Sequence, residues 1–250
     1  MSANPGRQVR GQSRRTERRG ADRRQTEDRR SASGNGNGRH RSTAWVGEPL
    51  PRGRHKLGAD VVRASQRERL IRAMLETVAE RGYEATTVPE VVARARVSRN
   101  AFYEFFADKT SCFIAACDEE ASELLGDVLA AGSLGSWTEA LREGSRAYLT
   151  WWARRPAFSR AYFIGLPVAG LPAVAQRERG YARFREVFRE LGRRAREEQP
   201  QLPPLDDVVP RVLVLAITEL VAEEVRAGRT ENLPALEDDI VLVATRLLAD

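Results

Sequence analysis

Histidine is almost missing from the chain: His40 and His55 are the only two, and both lie in or beside a polar N-terminal stretch. A Ser-His-Asp triad or a histidine-based metal centre is therefore excluded from the apolar part of the sequence. Cysteine is equally scarce. Cys112 and Cys117 stand five apart in a segment that reads as helix, which puts them on different faces and favours neither a disulfide nor a metal pair. Long hydrophobic runs are missing too. The most apolar stretch, Val208 to Val225, is interrupted by Pro210, Arg211 and Glu219, so no membrane span is expected. The basic N-terminus is not followed by an apolar signal-peptide core, and the expected location is the reducing cytoplasm. Neither a Walker-type phosphate loop nor a dinucleotide fingerprint occurs, and no paired acids stand out. The reading is a non-enzyme with no catalytic residues, no cofactor and no metal.

What is present is divided unevenly. Hydrophobic residues make up 42% of the 250, nearly all of them beyond position 60. Residues 1–60 hold 15 of the 41 Lys+Arg and 6 of the 35 Asp+Glu, a local balance of +9, which leaves −3 for the rest. The basic character thus belongs to the first 60 residues. They include the low-complexity run Ser33-Gly34-Asn35-Gly36-Asn37-Gly38 and cannot bury enough apolar surface to offset ordering entropy, so disorder is expected. Their Arg pairs either attract DNA phosphates regardless of sequence or form a solvated extension without a role.

Beyond this tail the periodicity is helical, and the fold is read as all-α. In residues 66–81, Leu70, Ile71, Met74, Leu75, Val78 and Ala79 form one face, with Arg67, Glu68, Arg72, Glu76 and Glu80 opposite and Gly82 as a stop. Further helices are predicted at about 109–131, 136–154, 157–165, 173–198, 207–227 and 235–249, separated by Gly and Pro clusters. The division predicted is a 1–60 tail, a 61–110 helix-turn-helix domain and a 111–250 helical domain.

Between the first two of these helices the sequence carries its most specific signal. Thr87 caps a short helix, Glu90 completes a capping box, and Pro89 sits in the first turn where its missing N–H is harmless. Arg96-Val97 makes a turn, and Ser98 caps a second short helix in which Phe102 and Phe106 point inward with Val97. Arg99, Asn100 and Tyr103 share another face. Two short helices around a tight turn, one with a polar outer face, suit a major-groove reader or are simply a solvated polar surface. For a reader, Arg99 matches guanine O6 and N7, and Asn100 a base edge or a phosphate. The hydroxyls of Thr87, Ser98 and Tyr103 suit phosphates, as does Lys109 beside the cap Asp108.

The stretch from Val97 through Arg99, Asn100, Phe102, Tyr103, Phe105, Phe106 and Asp108 to Lys109 resembles the recognition-helix signature of the TetR family of repressors. Gln66-Arg67-Glu68-Arg69, Gly82-Tyr83 and Thr86-Thr87 match upstream, and the similarity covers roughly residues 63–117. One departure is Phe105, where many relatives carry His. The resemblance implies double-stranded operator DNA as a partner, with Tyr103 and Lys109 on phosphates and Arg99 and Asn100 on the recognition helix. It also implies a C-terminal ligand-binding and dimerisation domain, and so a transcriptional repressor released by a small molecule. The alternative is a non-specific DNA binder acting through the Arg-rich tail. Aromatic residues cluster between Trp137 and Phe188, and Trp151, Trp152, Phe158, Tyr162, Phe163 and Phe184 are candidates for the pocket or for plain core. Arg155 and Arg160 are candidates for an acidic ligand group. The helices near 207–227 and 235–249 carry more apolar surface than one face needs, which fits a homodimer through these helices, as the resemblance implies, or burial within one protomer.

Overall fold

The computed structural model describes residues 58–133 and 135–250, and every regular element among them is helical. The Arg-rich tail lies outside the described residues up to position 57. Its predicted boundary overlaps the first helix, α1 (Ala59–Arg81), which opens seven residues earlier than its apolar stripe indicates. Only Leu70 onward is buried in a continuous face, so the first turns leave no periodic trace in the sequence. Gly82, at φ +80°, ends α1 with its N–H on the Val78 carbonyl.

Helix α2 (Val88–Ala95) starts as expected: the Glu90 carboxylate accepts the Thr87 backbone N–H at 3.0 Å and its hydroxyl at 2.8 Å. Arg96 adopts a left-handed conformation (φ 53°, ψ 46°) and turns the chain into α3 (Arg99–Phe105), where the Ser98 hydroxyl accepts the Ala101 N–H at 3.1 Å. Helix α4 (Lys109–Ala131) is capped by Asp108, which accepts the Ser111 N–H at 2.7 Å. Helix α5 (Trp137–Ala153) opens with a further capping box, Ser136 with Glu139.

The predicted helix at 157–165 is composite. An α turn, α6 (Pro156–Arg160), widens into a π-helical segment, Ala161–Gly165, and tightens into a 3-10 turn, Leu166–Val168. The wide turn lets Ala161, Tyr162, Phe163, Gly165 and Leu166 all be buried, more than one stripe of a regular α-helix hides. Helix α7 (Leu171–Glu198) carries Pro172 in its first turn rather than being broken by it. Helices α8 (Val208–Arg226) and α9 (Glu237–Ala249) flank a 3-10 segment, Thr230–Leu236.

Two apolar clusters hold these elements. One runs without a break from Leu70, Met74, Phe102 and Phe113 to Trp152, Phe163, Val221 and Leu233, joining α1–α4 to the C-terminal helices. The other packs Trp137, Tyr181, Phe188, Leu213, Val214 and Leu248 between α5, α7, α8 and α9. Phe102, Phe113, Leu149 and Val221 are fully buried, whereas Val208, Val212, Leu215 and Leu220 on α8 and Leu242 and Val243 on α9 stay exposed. No helix among the described residues is long and apolar enough to cross a membrane.

Candidate nucleic-acid interface and cavity

Helix α3 presents Arg99, Asn100 and Tyr103 outward. Ser98, Arg99 and Asn100 are exposed, and Tyr103 is 46% exposed. The other face is anchored by Phe102, whose ring meets Tyr103 edge-on at 5.3 Å and Phe106 at 5.7 Å. The outer side chains thus stand on a rigid apolar floor. Arg99 lies 5.7 Å from the Tyr103 ring and is in no ion pair with another described residue, unlike Arg81, which pairs with Glu90, and Arg94, which pairs with Glu80 and Glu76. Those carboxylates neutralise the α1–α2 side and leave the α3 face with uncompensated cationic and amide donors. Hydrogen bonds to arginine hold the carboxyls of Glu80 and, after its Thr87 contact, Glu90 below the usual carboxylate range.

Two other predicted contacts are differently placed. The Thr87 hydroxyl is exposed but donates to Glu90. The Lys109 ammonium donates to three backbone carbonyls, Tyr83 and Thr86 at 3.0 Å and Glu84 at 3.2 Å, and lies 4.5 Å from the Tyr83 ring. All three of its N–H bonds are engaged, so the geometry makes Lys109 a clasp on the loop between α1 and α2. One positioning role leaves no trace in the sequence. Arg69, in the middle of α1, donates to the carbonyls of Ala95 at 3.2 Å and Arg96 at 3.3 Å, and so fixes the strained turn against the first helix.

A cavity of about 400 Å³ lies between α4, α5, α7 and α8. Of the six aromatic residues predicted for a pocket, Trp152, Tyr162 and Phe184 line it; Trp151, Phe158 and Phe163 do not. Those three pack in the core instead, Trp151 edge-on to Phe158 at 5.5 Å and Phe163 against Trp152 at 4.7 Å. Arg155 is not available to a ligand either: it stacks 4.1 Å from the Trp151 ring and pairs with Glu120 and Glu123. Arg160 reaches back to the Ala79 carbonyl. Tyr148 and Tyr181, from the aromatic cluster between Trp137 and Phe188, and Thr218, which no sequence signal marked, also line the cavity, from three helices. Aromatic spacing marked the region of the cavity; which ring faces the void depends on helix rotation.

The mouth opens between α4 and α7, where Leu129, Glu186 and Glu190 are exposed. It is braced at both ends by arginines of α7. Arg183 donates to Asp118 at 3.0 Å and to Ser122 at 2.9 Å, and Arg194 to the carbonyls of Gly132 at 3.0 Å and Gly135 at 2.8 Å. Both cysteines are buried and free, and burial pushes the Cys112 thiol up to about 12, which makes it a poor nucleophile. No group of His, Cys, Asp and Glu able to hold a metal occurs among the described residues.

Residues 70–116 match the model of the bacterial regulatory proteins of the tetR family. The HTH-type transcriptional activator FasR of Mycolicibacterium smegmatis is 31% identical over 82 residues, 33% of this chain and 37% of that protein. An uncharacterized HTH-type transcriptional regulator of Bacillus subtilis, YerO, is 32% identical over 53 residues, 21% of this chain and 18% of its own length. The matches therefore span little more than a third of these curated relatives at most. Among solved structures, the fatty acid degradation regulator FadR of Bacillus halodurans superposes with a TM-score of 0.66 at 16% identity, over 72% of this chain and 94% of that one. FadR of Bacillus subtilis in complex with stearoyl-CoA gives 0.65 at 16%, over 72% and 98%. At such identities the likeness is one of fold.

Proposed function

We infer, from the tetR-family segment that residues 70–116 form, that the chain is a DNA-binding transcriptional regulator. The observation that carries this reading is α3: a capped helix on a buried phenylalanine floor, with Arg99, Asn100 and Tyr103 turned outward. Arg99 reads a guanine edge, Asn100 a base edge or phosphate, and the hydroxyls of Tyr103 and Ser98 hold the backbone. Thr87 positions α2 through Glu90, and Lys109 positions the loop before it.

The regulator acts as a homodimer through α8 and α9, whose outward apolar residues are covered by the same helices of a second copy. Two recognition helices related by a two-fold axis then meet half-sites about one helical turn apart or a multiple of it. A small molecule in the cavity biases the pair toward a spacing that fits DNA less well, so that repression is relieved on binding. Support for a ligand comes from the size and apolar lining of the cavity, and from the FadR neighbour solved with stearoyl-CoA. Such a ligand shifts DNA affinity only by its differential affinity for the two conformers, about 1–3 kcal/mol in typical cases.

The test is selection of bound genomic fragments by the purified chain, repeated with Arg99→Ala. Wild type enriches one inverted-repeat motif, and the variant binds with preference relaxed at one position in each half-site. Equal enrichment by both proteins removes α3 from the reading.

A further inference from the structure

The cavity wall is apolar along most of its length. Leu124, Val128 and Leu129 from α4 face Phe184, Val187 and Leu191 from α7. Lining residues of α4 run from Ala121 to Gly132, about 16 Å of helix at 1.5 Å per residue, so the space is elongated. One part of the wall is polar. Tyr148, Tyr181 and Thr218 line the cavity, and Tyr162 packs with Tyr148 against Trp152, its hydroxyl against Gly180. Behind Tyr148 the Trp152 indole N–H is buried with no hydrogen-bond partner. An indole is a donor only, so this N–H lacks an acceptor. Burial pushes the phenols of Tyr148, Tyr162 and Tyr181 up, so all three stay neutral donors near neutral pH.

Four hydroxyls and an unpartnered N–H gathered on one part of a largely apolar wall are an excess of donors that apolar packing does not require. A saturated chain end placed there leaves them unsatisfied, and a carboxylate there meets no cation on that part of the wall, since Arg177, 5.7 Å from the Tyr181 ring, is not among the lining residues. We propose that the cavity selects an elongated apolar molecule whose buried end carries an uncharged hydrogen-bond acceptor, a ketone, ester or hydroxyl oxygen, held by Tyr148, Tyr162, Tyr181 and Thr218. This rests on the ligand-binding reading above and narrows it: the hydroxyl cluster reads oxygen, where a simple acyl chain ends in a methyl group.

The experiment displaces the hydrophobic dye N-phenyl-1-naphthylamine from the full chain with three probes of similar length: tridecane, methyl undecyl ketone and dodecanoate. The ketone is expected to displace about 10-fold better than the alkane, the difference made by one satisfied buried acceptor. Tyr148→Phe and Thr218→Val each shrink that advantage and leave tridecane unchanged, so the alkane monitors the integrity of the cavity. Ketone and alkane displacing equally well overturns the proposal while the ligand-binding reading stands. Preference for dodecanoate over the ketone also overturns it and puts the polar end on a charged site. Displacement by none of the three removes both the proposal and the ligand-binding reading.

Discussion

Arg96 carries the left-handed backbone of the helix-turn-helix bend, a conformation that costs a side-chain-bearing residue about 1–2 kcal/mol and glycine little. Arg96→Gly should therefore raise unfolding stability by up to about 1 kcal/mol, and the β-branched Arg96→Val should lower it, as read from urea midpoints. The hydrogen bonds from Arg69 go to backbone carbonyls and survive either change. Lys109 separates two roles that the sequence cannot distinguish. A lysine at the start of a helix next to a groove reader looks like a phosphate contact, and only the folded structure shows three carbonyls around its ammonium. Lys109→Met should lower stability by about 1–3 kcal/mol and leave the salt dependence of DNA binding unchanged. A phosphate contact would instead reduce the salt slope by about one. The outward placement of Arg99, Asn100 and Tyr103 was legible because a seven-residue helix has only one face to offer once Phe102 and Phe106 point inward. Arg69 was not, because its partners lie 26 and 27 residues away.

At the scale of elements, helix starts were readable wherever a side chain caps them, as at Thr87, Ser98, Asp108 and Ser136. The start of α1 was not, since Gly58 offers no side chain to mark it. The π-helical turn also had no sequence signature, and it matters for how the two halves of the molecule meet. A methyl group at Gly165 would stand 2.7 Å from Val78 Cγ1 of α1 and 3.5 Å from Phe113 Cζ of α4, so only glycine allows this approach. Tyr162 of the same segment lines the cavity. Gly165→Ala should cost about 1–3 kcal/mol through overpacking, measured by thermal unfolding. It should also change DNA affinity without touching α3, because the displaced neighbour is the helix that braces the bend. Unchanged stability would show that Val78 yields freely and that the segment transmits nothing by contact.

For the whole molecule, the apolar content of α8 and α9 admitted both burial within a protomer and pairing with a second copy, and the structure divides it. Leu213, Val221, Ile240, Ala244 and Leu248 face inward, while Val208, Val212, Leu215, Leu220, Leu242 and Val243 remain at the surface. Leu215→Glu should leave the melting of the protomer intact and convert a dimer to a monomer in sedimentation. Operator affinity should fall by about 100-fold or more, since each reader then binds its half-site alone. The charge division of the sequence sets up the contest that remains, between recognition by α3 and attraction through the Arg-rich first residues. Selection of bound genomic fragments by the full chain, side by side with a chain beginning at Gly58, decides it. Enrichment of the same inverted-repeat motif by both is the predicted result. Indiscriminate binding by the full chain that vanishes from the shortened one would contradict a sequence-specific regulator.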